Sequence, residues 1–272
     1  MPESPHLAGI HLHPIKSLGG ITVPECRIGP AGGLEADRVW ALFAEDGTWI
    51  NGKRTPAIHR IRAAFTPDLK MVSLAVAGGG HHLEPASFAF PGDTAGAAAW
   101  FSRYFAEPVT VRYAAEGYPD DGERPGPLVI STGTLEVVAE WFPGIDLPEA
   151  RRRFRAPLEI GGVVPFWEDQ LYDALESNPV AFRVGAVRLE GINPCPRCPV
   201  PGRDSQTGAD LSGFRKRFTE LRRTHYPAWA RQPVRIRHYY HLGVNTRLEP
   251  TEFGKVVRVG DPVQSSRTVP QG

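Results

Sequence analysis

The feature that most constrains this chain is the way glycine and proline cut its apolar residues into short runs. Gly occurs 29 times and Pro 27 times in 272 residues, and both are scattered rather than gathered in a low-complexity tract. A helix needs a periodic stretch of about ten residues or more, whereas a strand needs only about four to eight. Such punctuation predicts many short strands joined by turns, hence a mainly β (α+β) fold. Ile10, Leu12 and Pro14 alternate with His11 and His13, the period of a half-buried strand, until the run breaks at Lys16-Ser17-Leu18-Gly19-Gly20. The first strand therefore delivers Lys16 and Ser17 to a loop. Strand-like runs follow at residues 39–44, 49–50, 61–65 and 71–76, separated by Asp46-Gly47, Asn51-Gly52, Pro67-Asp68 and Gly78-Gly79-Gly80. They predict a meander or small barrel. A helix is expected at 94–105, capped by Asp93, with Ala97, Trp100, Phe101, Tyr104 and Phe105 on one stripe.

Residues 117–126 are rich in Pro, Gly and charge and lack periodicity, which marks a linker and places a domain boundary near residue 120. Beyond it, 128–130 reads as a buried strand and Leu135, Val138, Ala139 and Phe142 as one helix face. The basic run Arg151-Arg152-Arg153 reads as a solvated helix end. Strands are expected at 181–184 and 187–189, then a cysteine loop, a helix over 213–223, and a strand alternating from Val234 to Val244. His11, His13, His238 and His241 fall on strand patterns and read as structural histidines.

A formal net charge of +1, from 31 basic and 30 acidic residues, argues against nucleic acid or an anionic membrane surface as partner and leaves a small molecule. The first 17 residues are too polar for a signal peptide, and no run approaches the roughly 18 apolar residues a membrane helix requires. A cytoplasmic protein is expected. Three cysteines cannot form a disulfide framework for this length, and two of them, Cys195 and Cys198, form a Cys-x-x-Cys pair. That pair supplies two of the four ligands of a structural zinc, with no second pair to complete the set. On spacing alone metal binding, redox exchange and inert packing all remain open.

Cys195-Pro196-Arg197-Cys198 followed by Asp204-x-x-Thr207-Gly208 resembles the metal loop of MOSC proteins, the group containing the mitochondrial amidoxime-reducing component and the C-terminal domain of molybdenum cofactor sulfurases. His13-Pro14-Ile15-Lys16-Ser17 and Asp37-Arg38-Val39-Trp40 resemble two motifs of the N-terminal β-barrel domain in the same proteins. Pro127-Leu128-Val129-Ile130-Ser131, Arg153-Phe154-Arg155, Trp167-Glu168-Asp169 and Val259-Gly260-Asp261-Pro262-Val263 follow in the family's order, so the resemblance covers nearly the whole chain.

The resemblance implies an N-terminal β-barrel-like domain at 1–115 packed against a MOSC β-barrel domain at 120–265, with a molybdenum cofactor (Mo-molybdopterin) in the cleft between them. Cys198 is then the catalytic residue and the metal's thiolate ligand, with Cys195 a neighbour. Lys16, Ser17, Arg38 and Arg155 match positions that hold the pterin and its phosphate, and Ser131 and Arg197 belong to the same pocket. Arginine suits a phosphate because its donors form a fork of fixed geometry. The implied reaction is reduction of a small N-oxygenated substrate, the oxygen leaving as water with two protons and two electrons. Some bacterial relatives carry a four-cysteine ferredoxin extension that three cysteines cannot supply, so electrons are expected from a separate ferredoxin, flavoprotein or cytochrome. Relatives usually read Arg-Pro-Asn after the phenylalanine of the Arg153 motif, whereas Arg155 here precedes Ala156 and Pro157, and that amide is missing. Two other functions fit the same residues: sulfur transfer through a Cys198 persulfide, and zinc held by the Cys195–Cys198 pair between subunits.

Overall fold

The computed structural model describes residues 4–78, 83–119 and 126–267. Residues 120–125 of the expected linker, and Gly79 and Gly80 of one expected turn, lie outside them. The first half contains β1 (His6–Leu12), β2 (Ile21–Val23), β3 (Glu25–Arg27), β4 (Trp40–Ala44), β5 (Trp49–Ile50), β6 (Ile61–Phe65), β7 (Met71–Val76), β8 (Ala86–Ala89), α1 (Thr94–Phe105) and β9 (Val109–Tyr113). The second half contains β10 (Val129–Ser131), α2 (Thr132–Glu140), α3 (Leu147–Phe154), β11 (Leu158–Gly161), β12 (Val180–Val184), β13 (Val187–Pro196), α4 (Phe214–Thr224), β14 (His241–Arg247), β15 (Val256–Arg258) and β16 (Val263–Ser265). The fold is mainly β, as the turn-punctuated sequence requires.

The strands do not sort by halves. One eight-stranded sheet runs β16-β12-β13-β14-β10-β11-β1-β2, so the first two strands complete a sheet whose other members come from the second half. β1 lies antiparallel to β11, with Ile10 opposite Leu158, and β3 pairs with β15. Leu7, Ile10, Leu12, Ile28 and Leu34 accordingly share one apolar core with Val129, Leu158, Leu189 and Val244. A second core belongs to the β4-β5-β9 and β6-β7-β8 sheets and α1, and a third lies between α2, α3 and α4. Among the described residues no sheet closes into a barrel. The large sheet nevertheless curls until its ends approach: His6 makes an isolated bridge to Pro262, and Leu7 N–H donates to Asp261 O at 2.9 Å. Gly260 N–H to Leu7 O at 2.8 Å and Val263 N–H to Pro5 O at 2.9 Å join the same seam, but no strand ladder forms across it.

α1 starts where Asp93 accepts from Gly96 N–H at 2.9 Å, which satisfies one of the donors a helix N-terminus leaves open. The strand expected over 234–244 is a correction. Regular pairing begins only at His241, opposite Pro196, because the facing chain leaves the sheet at Arg197. Ile236 and Tyr240 are buried while Val234 is exposed, so the alternation there records packing without a ladder.

Two buried histidines make the fold acid-sensitive. Burial and the nearby Arg155 charge push His13 down to about 3 despite Asp37 beside it, and burial with the nearby Arg222 charge does the same to His241, also to about 3. Both pKa values are depressed from 6.5, so the unfolded chain takes up protons first as the medium acidifies. Stability is full above pH 6.5 and is lost as pH falls toward 3, at about 1.4 kcal/mol per histidine per pH unit. Urea midpoints should therefore fall steadily from pH 7 to 4, and His241→Phe should flatten the curve. A wild-type profile without slope in that window would show that the imidazoles titrate normally.

Candidate functional site

The site is assembled where the chain leaves β1. Residues 13–17 run beside 38–40 rather than forming a free loop. Arg38 N–H donates to His13 O at 2.9 Å, Trp40 N–H to Pro14 O at 3.0 Å, and Lys16 N–H to Trp40 O at 2.8 Å. This pairing sets Lys16, Ser17 and Arg38 side by side. From the second half, α3 ends at Arg155, whose N–H donates to Arg151 O while its backbone turns left-handed with φ 52°. The joint is direct: the Arg38 guanidinium donates to Arg155 O at 3.2 Å and to Asp37 Oδ2 at 2.9 Å. Burial raises the Asp37 pKa, but Arg38 and the His13 side chain outweigh it and hold the carboxyl below its usual value. The ionised Asp37 fixes Arg38 in place.

Ser17, Arg38 and Arg155 all have positive φ, at 72°, 55° and 52°. Side chains other than glycine reach that region at a cost of order 1–3 kcal/mol, and such strain concentrates where geometry serves a ligand. All three came from the sequence as candidate binding residues.

Cys195 is the next-to-last residue of β13, a correction to the expected loop that places the first cysteine in the sheet, and Cys198 follows beyond the strand's end. Arg197 is held from three sides. Its N–H donates to Tyr240 O at 3.0 Å, its Nη2 donates to Phe154 O at 2.6 Å, and its Nη1 approaches Cys195 Sγ at 3.6 Å. Tyr240 also donates its hydroxyl to Cys198 O at 3.2 Å. The Asp204 segment shapes the loop: Asp204 Oδ1 accepts from the N–H groups of Gln206 and Thr207, and Gly208, at φ 75°, lies so close to Pro56 that a Cβ there would sit 2.4 Å from its carbonyl oxygen. Glu149 of α3 clamps the same loop by accepting from Ser205 N–H at 3.0 Å and from the Arg153 guanidinium at 2.6 Å.

These residues line one cleft of about 2080 Å³, above the roughly 300–1000 Å³ of ordinary ligand pockets. Lys16, Ser17, Arg38, Arg155, Arg197 and Cys198 all face it. Ser131 does not. It is fully buried, and its hydroxyl caps α2 by accepting from Thr134 N–H at 3.2 Å. The Arg151–Arg153 run is a further correction, because Arg153 is buried against Glu149, and Arg151 grips Glu159 through two bonds of 2.7 Å. Glu159 lies beneath the α3 surface, and its carboxylate drew the arginine inward.

Sequence reasoning missed Arg54, Arg62, His59, Arg203 and Asn245, which also face the cleft. Isolated basic residues between short strands carry no spacing signal. His59 Nε2 is buried without a hydrogen-bond partner, and burial, with the charges of Arg155 and Arg203, lowers its pKa. The positions after Arg155 turn away: Ala156 is buried in the helical core, and Pro157 O accepts from His11 N–H at 2.8 Å.

Ten lysines and arginines line the cleft against Glu35, Asp37 and Glu116, on a chain whose total net charge is +1. Arg197 Nε lies buried there without a hydrogen-bond partner. An accessible thiol, forked cationic donors and an unsatisfied buried N–H fit a phosphate-bearing cofactor whose metal takes a thiolate ligand. Among the described residues no three His, Cys, Asp or Glu side chains converge as a metal site of their own. No described helix is long and apolar enough to cross a membrane.

A mainly β protein with a cationic cleft and a cysteine at its lip is the class that fold and site define. The sequence matches the MOSC N-terminal beta barrel domain over residues 4–108 and the MOSC domain over residues 127–264. The chain belongs to the MOSC domain family. MOSC domains are associated with proteins of the molybdenum cofactor sulfurase and oxidoreductase type and are linked to binding that cofactor. No curated protein matches the sequence.

Proposed function

We propose that this protein is a molybdopterin-dependent oxidoreductase that reduces N-oxygenated compounds, with Cys198 as the metal's thiolate ligand. The observation that carries the reading is the convergence of Cys198 with Lys16, Ser17, Arg38, Arg155 and Arg197 in one cleft, from motifs spread over both halves of a MOSC chain. When bound, the cofactor supplies two-electron oxygen-atom transfer. The chain's own residues do the rest. Arg38, oriented by Asp37, and Arg155 neutralise the pterin phosphate, and Lys16 adds charge while its Nζ donates to Tyr118 O at 2.7 Å. The Cys198 turn is held by Tyr240 and Arg197, which fixes where the thiolate points. A ferredoxin, flavoprotein or cytochrome donor supplies the electrons.

Metal analysis of the purified protein tests the reading. Molybdenum with an extractable pterin supports it, sulfane sulfur without metal identifies a Cys198 persulfide carrier, and zinc identifies a structural pair. A buried phosphate stripped of its cations faces a large desolvation cost. Arg38→Ala and Arg155→Ala should therefore each lower molybdenum content several-fold, and full occupancy in both variants would remove these residues from the binding site.

A further inference from the structure

Resting on that reading, the charge in the cleft exceeds what a pterin phosphate employs. Lys16, Arg38 and Arg155 are the cations assigned to the phosphate, and Arg197 is held by Phe154 O beside the Cys198 turn. Arg152 and Arg153 have Glu149 beside them, and Arg203 has Asp210 at 3.3 Å. Arg54 and Arg62 differ, because among the described residues neither pairs with a carboxylate. The partly buried Arg62 guanidinium donates only to uncharged acceptors: His59 O at 2.9 Å, Gln206 O at 3.1 Å and Gln206 Oε1 at 3.4 Å. Burial, with the Arg152 charge, lowers its pKa although the Asp204 and Glu149 carboxylates act the other way without forming an ion pair with it.

The segment carrying Arg62 borders the cysteine loop. A Cβ added at Gly52 would lie 2.9 Å from His59 Nε2 and 3.4 Å from Val200 Cγ2, so residues 52–59 pack against the chain two residues beyond Cys198. Arg54, Arg62 and Cys198 line the same cleft, so a molecule presenting its N–O group to Cys198 shares that space with both guanidinium groups.

We propose that Arg62, with Arg54 at the rim, recognises an anionic group on the substrate, so that this cleft takes N-oxygenated compounds bearing a carboxylate or phosphonate in preference to neutral ones. The reduction itself is unchanged: R–C(=NOH)NH2, two electrons and two protons give R–C(=NH)NH2 and water. The N–O bond breaks, the oxygen leaves as water, and the electrons come from an added reductant.

The test uses the holoenzyme with reduced methyl viologen and three substrates: benzamidoxime, its 4-carboxylate and its 4-phosphonate. Wild type should show higher kcat/KM for at least one anion, with the carboxylate and phosphonate arms telling which anion is preferred. Arg62→Gln should lower the anionic-to-neutral ratio by about tenfold, the size of a lost charge-assisted hydrogen bond, and Arg62→Lys should restore part of it. Quenching of fluorescence from Trp49, which lines the cleft, gives an independent binding readout, and the Kd of the carboxylate should rise in parallel. Equal kcat/KM for neutral and anionic substrates, or an unchanged ratio in Arg62→Gln, overturns the proposal. A loss seen with an acidic protein donor but not with viologen also overturns it, by assigning Arg62 to donor docking. If none of the three is reduced, the oxidoreductase reading fails separately, and the fluorescence titration still decides whether Arg62 binds the anion.

Discussion

Cys198→Ser is expected to cut turnover of an N-hydroxylated substrate, per molybdenum bound, by more than about a hundredfold, whereas Cys195→Ser leaves it near wild type. Losing a hydrogen bond to a metal ligand already costs about 10–100-fold, and exchanging the ligand's soft sulfur for a hard oxygen alters geometry and potential together. The two thiols are both partly exposed, yet they are held differently. Cys195 lies next to last in β13 with Arg197 Nη1 at 3.6 Å from its sulfur, a contact serine can also accept, so its replacement should cost on the order of 1 kcal/mol in stability. Cys198 sits on the turn whose carbonyl is anchored by Tyr240. The phosphate contacts assigned to Arg38 and Arg155 do not involve it, so much of the pterin should stay bound in Cys198→Ser. Steady-state rates divided by metal content decide the matter. Equal losses in the two variants would favour a zinc pair or a dithiol couple.

The largest stability effect should come from Asp169→Ala, at about 3–5 kcal/mol, the cost of leaving one member of a buried ion pair alone. Arg222 is fully buried, pairs with Asp169, and lies 4.4 Å from the centre of the Phe166 ring and 4.9 Å from that of Tyr226. Its other neighbour cannot share the charge fully, because burial and the Asp169 charge push Glu168 up to about 7. The double variant Asp169→Ala with Arg222→Met removes both charges and should recover much of the loss, since methionine follows the same stem without a cation. Chemical denaturation of the three proteins at pH 7 reads the effect. A single variant within 1 kcal/mol of wild type would mean that water already solvates Arg222.

How far the sequence spoke depends on what each signal encodes. Residues 94–105 were legible as a helix because Asp93 and the apolar stripe act within one turn of each other, and the strands at 61–65 and 71–76 were legible because alternation is local. Pairing β1 with β11 is not local, and no property of residues 6–12 names a partner about 150 positions away. The alternation over 234–240 misled for the same reason, as it reports burial without saying whether a neighbouring strand exists. In the candidate site, ordered motifs pointed to Lys16, Ser17, Arg38, Arg155, Arg197 and Cys198, and all six line one cleft. Ser131 carried a motif too, but its hydroxyl was committed to a helix cap. Arg62 carried none, and only the walls around it give it meaning.

The placement of β1 also bears on how the chain is made. On the ribosome β1 is finished about 150 residues before β11 exists, and at about 5–20 residues per second that interval lasts on the order of ten seconds or more. Throughout it, β2 is the one neighbour β1 has, and the edge that will meet β11, with Leu7, Ile10 and Leu12, stays uncovered, while the β4–β9 sheets, whose strands pair within residues 40–113, can already fold. Until β11 emerges, β1 thus keeps one edge and an apolar face uncovered, the kind of surface that chaperones hold and that neighbouring nascent chains capture. Slow synthesis between β9 and β11 lengthens that exposure.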